Sequence, residues 1–256
     1  MRAACYDCRV IPWLKKDSPF PDVEKALKAP NGLLAAGEHL SPQRVIDAYT
    51  HGIFPWFSVD EPVLWWSPNP RMVLFPDEFK VSRSLAKTVA GARFETRMDT
   101  AFERVIAACA APRPGQAGTW IVPEMREVYL QLHEMGFAHS VESWRDGELQ
   151  GGLYGIALDR MFFGESMFTR ETDASKVALV ALLARLRAEG FGLVDCQQET
   201  RHLASFGARP IPRRDFTQRL AELIHFPLVP GSWRTPDGAA LRASNPRPAA
   251  TGHGQA

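Results

Sequence analysis

Near Ala138 the apolar residues of this chain change their spacing from a helical to an alternating period, and the segment downstream of that change leaves few folds open. Ala138 to Trp144, Leu149 to Ala157 and Met161 to Phe168 read as three strands. Asp146-Gly147 between the first two is a strong two-residue hairpin signal, and Leu158-Asp159-Arg160 joins the second to the third. The three strands predict an antiparallel meander. A helix then starts at Asp173 or Ala174, with apolar residues at Val177, Val180, Leu183, Ala184 and Leu186, and Gly190 caps its end. The short apolar run from Gly192 to Gln197 predicts the next strand.

Two of these strands carry polar residues in apolar company. Glu165 sits among Phe162, Phe163, Met167 and Phe168, and the later strand delivers Asp195 and Gln197. Side chains two apart on a strand share a face, so Asp195 and Gln197 are expected to point the same way. A carboxylate and an amide on one face, near a second carboxylate, predict a polar centre in an oily wall, as in most binding and catalytic pockets. Cys196 lies between them and is expected to face away, as a small buried apolar residue rather than a nucleophile.

The order meander, helix, strand, helix, strand predicts an α/β (α+β) protein with an acyltransferase domain of the GNAT type. In that fold two neighbouring parallel strands splay apart and the acyl donor enters the gap. Donors that carry a pyrophosphate, such as acetyl-CoA, need glycine-rich backbone at a helix N-terminus. Here the loop reads Thr169 to Lys176 without a glycine, so a CoA donor is disfavoured.

Upstream, residues 1–70 are rich in proline, glycine and tryptophan and read as a small N-terminal domain. Ser41-Pro42 is an N-cap followed by proline at the first helical position, and Gly52 ends that helix. Of Trp56, Trp65 and Trp66, at least one is expected in a packed core; the other reading of this cluster is an aromatic wall facing a ligand. Pro68 and Pro70 mark the boundary to a catalytic domain over 71–234. Within it a strand is expected at Val73 to Phe75. Helices are expected at 82–90, 100–111, 123–135, 199–206 and 214–224, with a loop at 111–118. The tail, 235–256, has the composition of a disordered segment.

Composition narrows the function. At 45% hydrophobic and 23% charged residues the chain is an ordinary soluble protein. With a net charge of +1, any nucleic-acid contact must come from a local patch. No apolar run approaches the roughly 20 residues of a membrane span, and MRAACYDCRVIPW lacks the apolar core of a signal peptide; a cytoplasmic protein is expected. Cys5 and Cys8 form a C-x-x-C pair without a second pair, and read as free thiols. His139 and His202 lack a third well-spaced ligand, so no metal site is expected.

Several longer runs are distinctive: Pro30-Asn-Gly-Leu-Leu-Ala, Gly52-Ile-Phe-Pro-Trp-Phe-Ser58, Leu64-Trp-Trp-Ser-Pro-Asn-Pro-Arg71, Gly118-Thr-Trp-Ile121, Gly164-Glu-Ser-Met-Phe168, Ala174-Ser-Lys176, Asp195-Cys-Gln197 and Ile211-Pro-Arg-Arg-Asp215. From about Pro30 to Phe226 the chain resembles the leucyl/phenylalanyl-tRNA–protein transferases. The resemblance implies an enzyme of the bacterial N-degron pathway; a monomer without cofactor is expected. It would move Leu or Phe, and also Met, from aminoacyl-tRNA to the α-amine of proteins that begin with Arg or Lys, marking them for proteolysis. Carried over residue by residue, it implies catalytic positions at Asp195 and Gln197 with Glu165 beside them. It also implies an aminoacyl pocket lined by Trp56, Trp120, Phe162, Met167 and Val194. Leu153 stands where some members have methionine, a change that conserves volume.

The chemistry asks little of the protein. The donor ester is already activated, and an ordinary α-amine, with a pKa of about 7.7–8, is partly neutral near pH 7. Positioning supplies much of the acceleration. Asp195 could orient the amine, Gln197 could orient it or polarise the carbonyl, and Glu165 could hold Gln197; a substrate-assisted route through the terminal ribose hydroxyl stays open. For tRNA the candidate cations are Arg71, Lys80, Arg83 and Lys87 in one patch and Arg213 and Arg214 in another. Two other functions fit part of the pattern: a non-catalytic module that binds aminoacyl-tRNA or peptide, and a GNAT-like acyltransferase with a small-molecule donor.

Overall fold

The computed structural model describes residues 11–112 and 119–236. The Cys5/Cys8 pair, most of the proline-rich loop and all but the first two residues of the tail lie outside the described residues.

The first part of the chain forms β1 (Trp13–Leu14), β2 (Leu33–Gly37), α1 (Pro42–Thr50), β3 (Phe54–Pro55) and β4 (Val63–Trp66). Its strands make one sheet in the order β1-β2-β4-β3. These strands are too short to leave a periodic signal, and nothing in the local pattern announces them. α1 starts where its cap predicts: the Ser41 hydroxyl accepts from the Arg44 N–H, with Pro42 at the first turn. Gly52 then turns the chain in the left-handed region, at φ 74°. Trp65 is a core residue at 1% exposure, whereas Trp56 is 39% exposed.

The second part forms β5 (Arg71–Leu74), α2 (Arg83–Ala90), β6 (Glu95–Met98), α3 (Phe102–Ala110), α4 (Pro123–Glu134), β7 (Ala138–Arg145), β8 (Glu148–Leu158) and β9 (Met161–Thr169). It continues with α5 (Ala174–Ala188), β10 (Leu193–Gln197), α6 (Arg201–Ala204), β11 (Arg209–Ile211) and α7 (Arg213–Leu223). Seven strands pair in the order β11-β5-β10-β9-β8-β7-β6. β7, β8 and β9 are the predicted meander, and its first turn has positive φ at both Asp146 and Gly147, as a two-residue hairpin requires. β6 is an edge strand the sequence does not reveal. It buries only Thr96 and Met98 and leaves Glu95 and Arg97 partly exposed, too brief an alternation to read.

β9 and β10 run parallel, and the other pairings of this sheet among the described residues are antiparallel. A parallel neighbour needs a crossover, which α5 provides. α5 approaches the sheet closely because Gly151 has no side chain; a Cβ there would lie 2.6 Å from the Cβ of Ala174. The sheets change at Pro70, yet the core does not divide there. Tyr49 and Trp65 belong to the same apolar cluster as Tyr129, Phe163 and Phe216. No described helix is long and apolar enough to cross a membrane.

Candidate active site

β9 and β10 are paired through Leu193–Met161, Val194–Phe162 and Asp195–Phe163. The ladder stops there and the strands part. Each strand carries one extra residue near the fork. On β9 the register against β8 passes from Gly155–Gly164 to Tyr154–Ser166, which leaves Glu165 as the bulged residue. On β10 the register against β5 passes from Asp195–Val73 to Gln197–Met72, which leaves Cys196 as the extra one. Bulges re-aim side chains and end pairing, and here they aim Glu165 and Gln197 into the gap.

The gap is a cavity of about 510 Å³, well sized for a small ligand. Its walls include Trp56, Trp120, Leu153, Phe162, Met167 and Val194, all six residues expected around an aminoacyl side chain. Leu74, Leu179, Leu182 and Leu203 add to the apolar lining, and the polar lining residues include Glu165, Cys196, Gln197 and His202. A wider cavity of about 920 Å³ shares Trp56, Trp120 and Ser166 with the first and continues past Phe57, Glu61 and Trp66.

Glu165 is the electrostatic centre. Its carboxylate accepts from the Tyr49 hydroxyl at 2.6 Å and the Tyr129 hydroxyl at 2.8 Å, and the Gln197 amide lies 3.5 Å away. The two hydroxyls are 3.1 Å apart, but each has one hydrogen, so both can serve the carboxylate only if neither donates to the other. Burial raises the Glu165 pKa, the nearby Asp195 charge adds to this, and the hydrogen bonds oppose it; the result is about 7. Burial, together with the Glu165 charge, holds both tyrosines well above their ordinary range, so they remain donors. Neither tyrosine stands out in the sequence as a site residue. Both sit on helical apolar faces, and the available signal is that a buried tyrosine hydroxyl needs a partner.

Asp195 does not share the cavity face with Gln197. It is 0% exposed, and its carboxylate is held by Arg71 in a two-pronged pair, Nε to Oδ1 at 2.8 Å and Nη2 to Oδ2 at 2.6 Å. The extra residue at Cys196 breaks the alternation expected of a regular strand, so Cys196 lines the cavity beside Gln197 instead of facing away. Burial and the Asp195 charge push the Cys196 thiol far up, so it stays protonated. Asp195 still reaches Gln197 through the backbone: Oδ1 accepts the Gln197 N–H at 2.8 Å. Gln197 has a φ of 60°, and the Gln198 N–H donates to the Cys196 carbonyl at 2.7 Å. That closes a tight three-residue turn around a left-handed residue, the rarer and strained form.

Arg71 and Arg213 are likewise not surface cations. Arg71 is 0% exposed, lies between the rings of Phe54 and Phe216 at 4.8 and 4.6 Å, and donates to the Gly52 carbonyl at 3.2 Å. Arg213 is 5% exposed, pairs with Glu24 at 3.1 Å and donates to the Ser67 carbonyl at 2.7 Å. A planar guanidinium can be stacked and bonded on all its edges, which makes these two parts of the fold. Lys80, Arg83, Lys87 and Arg214 are exposed.

The family model described as leucyl/phenylalanyl-tRNA protein transferase matches residues 73–221, and that of the family's N-terminal domain matches residues 38–69. Among curated relatives, the leucyl/phenylalanyl-tRNA–protein transferase of Thiobacillus denitrificans is 62% identical over 84% of this chain and 95% of its own length. That of Chromobacterium violaceum is 57% identical over 88% of this chain and 96% of its own length. The solved structure of L-PGS from Bacillus licheniformis has a TM-score of 0.36 at 10% identity, over 73% of this chain and 65% of that one, a likeness too slight to build on.

Proposed function

We propose, from the premise that the chain belongs to the leucyl/phenylalanyl-tRNA–protein transferase family, a mechanism and a substrate range for the aminoacyl transfer this family performs. The donor is Leu-tRNA or Phe-tRNA, with Met also accepted, and the acceptor is the α-amine of a protein that begins with Arg or Lys. The enzyme works as a monomer in the cytoplasm, with 71–234 as a GNAT-like catalytic domain and 1–70 as a small N-terminal domain. The tagged product is marked for proteolysis. The observation that carries the reading is the fork between parallel strands, with an apolar cavity below it and the Glu165–Gln197 pair at its rim.

In this reading the donor's side chain fills the apolar cavity and its ester lies at the rim. The acceptor enters through the wider cavity, whose lining among the described residues contains Glu61 and no lysine or arginine, so a cationic first residue meets no like charge. The neutral amine attacks the ester carbon, a C–N bond forms, and the C–O bond to the ribose breaks. Gln197 donates from its amide to the carbonyl oxygen as charge develops there. Glu165, with a pKa of about 7, takes the proton the amine sheds and can return it to the departing ribose oxygen, the match between pKa and working pH that acid–base catalysis favours. Asp195 acts as a positioning residue: paired with Arg71, it holds the Gln197 backbone in place. Lys80, Arg83, Lys87 and Arg214 are assigned to tRNA phosphates.

A small-molecule acyl donor with a pyrophosphate is the weaker reading. Glu171 and Asp173 stand at the start of α5, where such a group would have to dock. One experiment decides between transfer and simple binding. The protein is incubated with Phe-tRNA and a peptide beginning with Arg, and the peptide mass is read. A gain of one phenylalanine residue is expected, and binding of Phe-tRNA without that gain would overturn the reading.

A further inference from the structure

Behind the cavity lies an aromatic residue with no place yet in the reaction. Phe162 lines the cavity and is fully buried. Its ring lies across Gly155, where a Cβ would come within 2.3 Å of the Phe163 carbonyl oxygen and 2.5 Å of Phe162 Cζ; the glycine leaves room for both the neighbouring backbone and the ring. Trp233 stacks against Phe162, with ring centroids 5.7 Å apart and planes at 18°. Trp233 is 5% exposed and is not part of the cavity wall. It is wedged in place, stacked on His139 at 4.2 Å and covered by the Arg185 guanidinium at 4.6 Å.

Trp233 belongs to a strap outside any helix or strand. The Gly231 N–H donates to the Gly136 carbonyl at 3.0 Å and the Thr235 N–H to the Met98 carbonyl at 2.9 Å. The Met98 N–H returns a bond to the Thr235 hydroxyl at 2.8 Å. The strap is thus bonded on both sides of Trp233, to the lead-in of β7 and to the end of β6.

We infer that Trp233 sets the depth of the aminoacyl pocket: the strap presses its indole against Phe162 and fixes where that wall stands. The inference rests on the reading that this cavity holds the aminoacyl side chain. Interiors are close-packed, and an aromatic wall keeps its place only while something fills the space behind it. With the indole removed, Phe162 can retreat over Gly155 into the vacated volume. The pocket then lengthens without any change in the residues that touch the substrate. Trp233 is therefore a positioning residue for specificity.

The test compares transfer from Leu-tRNA, Phe-tRNA and a tRNA charged with a para-substituted phenylalanine, as kcat/KM ratios. Trp233→Ala is expected to raise the ratio of the para-substituted donor to Leu roughly tenfold, the usual scale of apolar pocket discrimination. The acceptor peptide KM should stay constant, and Trp233→Phe should restore most of the original ratio. Trp233→Leu, which vacates only part of the indole volume and loses its flat face, should shift the ratio part of the way and gives a second reading should the alanine variant fold poorly. Met167→Ala changes the wall directly and tests the underlying reading. If Met167→Ala shifts the ratio and both the Trp233→Ala and Trp233→Leu variants leave it unchanged, the inference is overturned and the pocket assignment stands. If none of the three variants shifts it, the pocket assignment falls as well. An equal loss for all donors in the Trp233 variants would make the strap purely structural and would also overturn the inference.

Discussion

Replacing Tyr129 by phenylalanine should move the pH dependence of transfer without emptying any space. Tyr129 donates to Glu165 Oε2 at 2.8 Å, and that bond favours the charged carboxylate against the burial that opposes it. A hydrogen bond to a charged group contributes about 1.5–3 kcal/mol, and one pKa unit corresponds to about 1.36 kcal/mol. Losing the donor should therefore raise the Glu165 pKa by about one to two units. The low end is expected, because Tyr49 and Gln197 still face the carboxylate. A higher pKa leaves less carboxylate at any given pH, so the variant is slower near pH 7 and recovers as pH rises. The assay is single-turnover transfer from Phe-tRNA at saturating acceptor peptide, by rapid quench between pH 5.5 and 9.5. The rising limb should move to higher pH by that amount with its plateau retained, whereas Glu165→Gln should lower the plateau and leave only the limb set by the acceptor amine. A limb at the same pH in the parent and in Tyr129→Phe would refute the assignment. It would then belong to the acceptor amine alone, and the ribose hydroxyl would be the better proton carrier.

Arg71→Leu leaves Asp195 buried and unpaired, which should cost about 3–5 kcal/mol of stability in urea unfolding; adding Asp195→Asn should recover much of that loss, and no recovery would mean the ion pair is not the source. Folded-state stability should fall as pH rises from the ordinary carboxylate range, 4.5, through about 7, because the folded protein holds the Glu165 proton more tightly than the unfolded chain; Glu165→Gln should flatten that slope in thermal melts. Replacing Lys80, Arg83 and Lys87 together by alanine should flatten the salt dependence of aminoacyl-tRNA binding by roughly 0.7–0.9 per lost phosphate contact. Transfer from an aminoacyl-adenosine should barely change, and equal losses with both donors would place the patch in the fold instead. Leu-tRNA should be used several-fold better than Ile-tRNA, whose Cβ branch meets the pocket neck, and equal kcat/KM values would contradict a shape-selective pocket.

Much of the second sheet is legible in the sequence because periodicity reports it directly. The meander, the Asp146-Gly147 turn and the crossover helix each carry a pattern over many residues. The short strands before Pro70 and the edge strand at Glu95–Met98 have too few alternations to register. At the site, Glu165 and Gln197 stand out as polar residues in apolar runs, but the direction of Asp195 cannot be read the same way. Alternation fixes faces only in a regular strand, and the extra residue at Cys196 resets the count. Arg71 reads as a surface cation because arginine usually is one. Its burial depends on Phe54, Phe216 and Asp195 converging from three distant stretches of chain, which local pattern does not encode. Tyr49 and Tyr129 look like core residues and are; only their hydroxyls, meeting on Glu165 from separate helices, make them more than that.

The turn around Gln197 sets stability and activity against each other at a single position. Holding a residue with a side chain at φ 60° costs on the order of 1–3 kcal/mol, and glycine would occupy the same backbone with less strain. The Asp195 bond to the backbone N–H would survive that change, so the fold would lose nothing it depends on, while the amide at the cavity rim would be gone. Selection for heat tolerance alone should therefore drift toward Gln197→Gly, and only a screen that counts turnover would hold the glutamine in place.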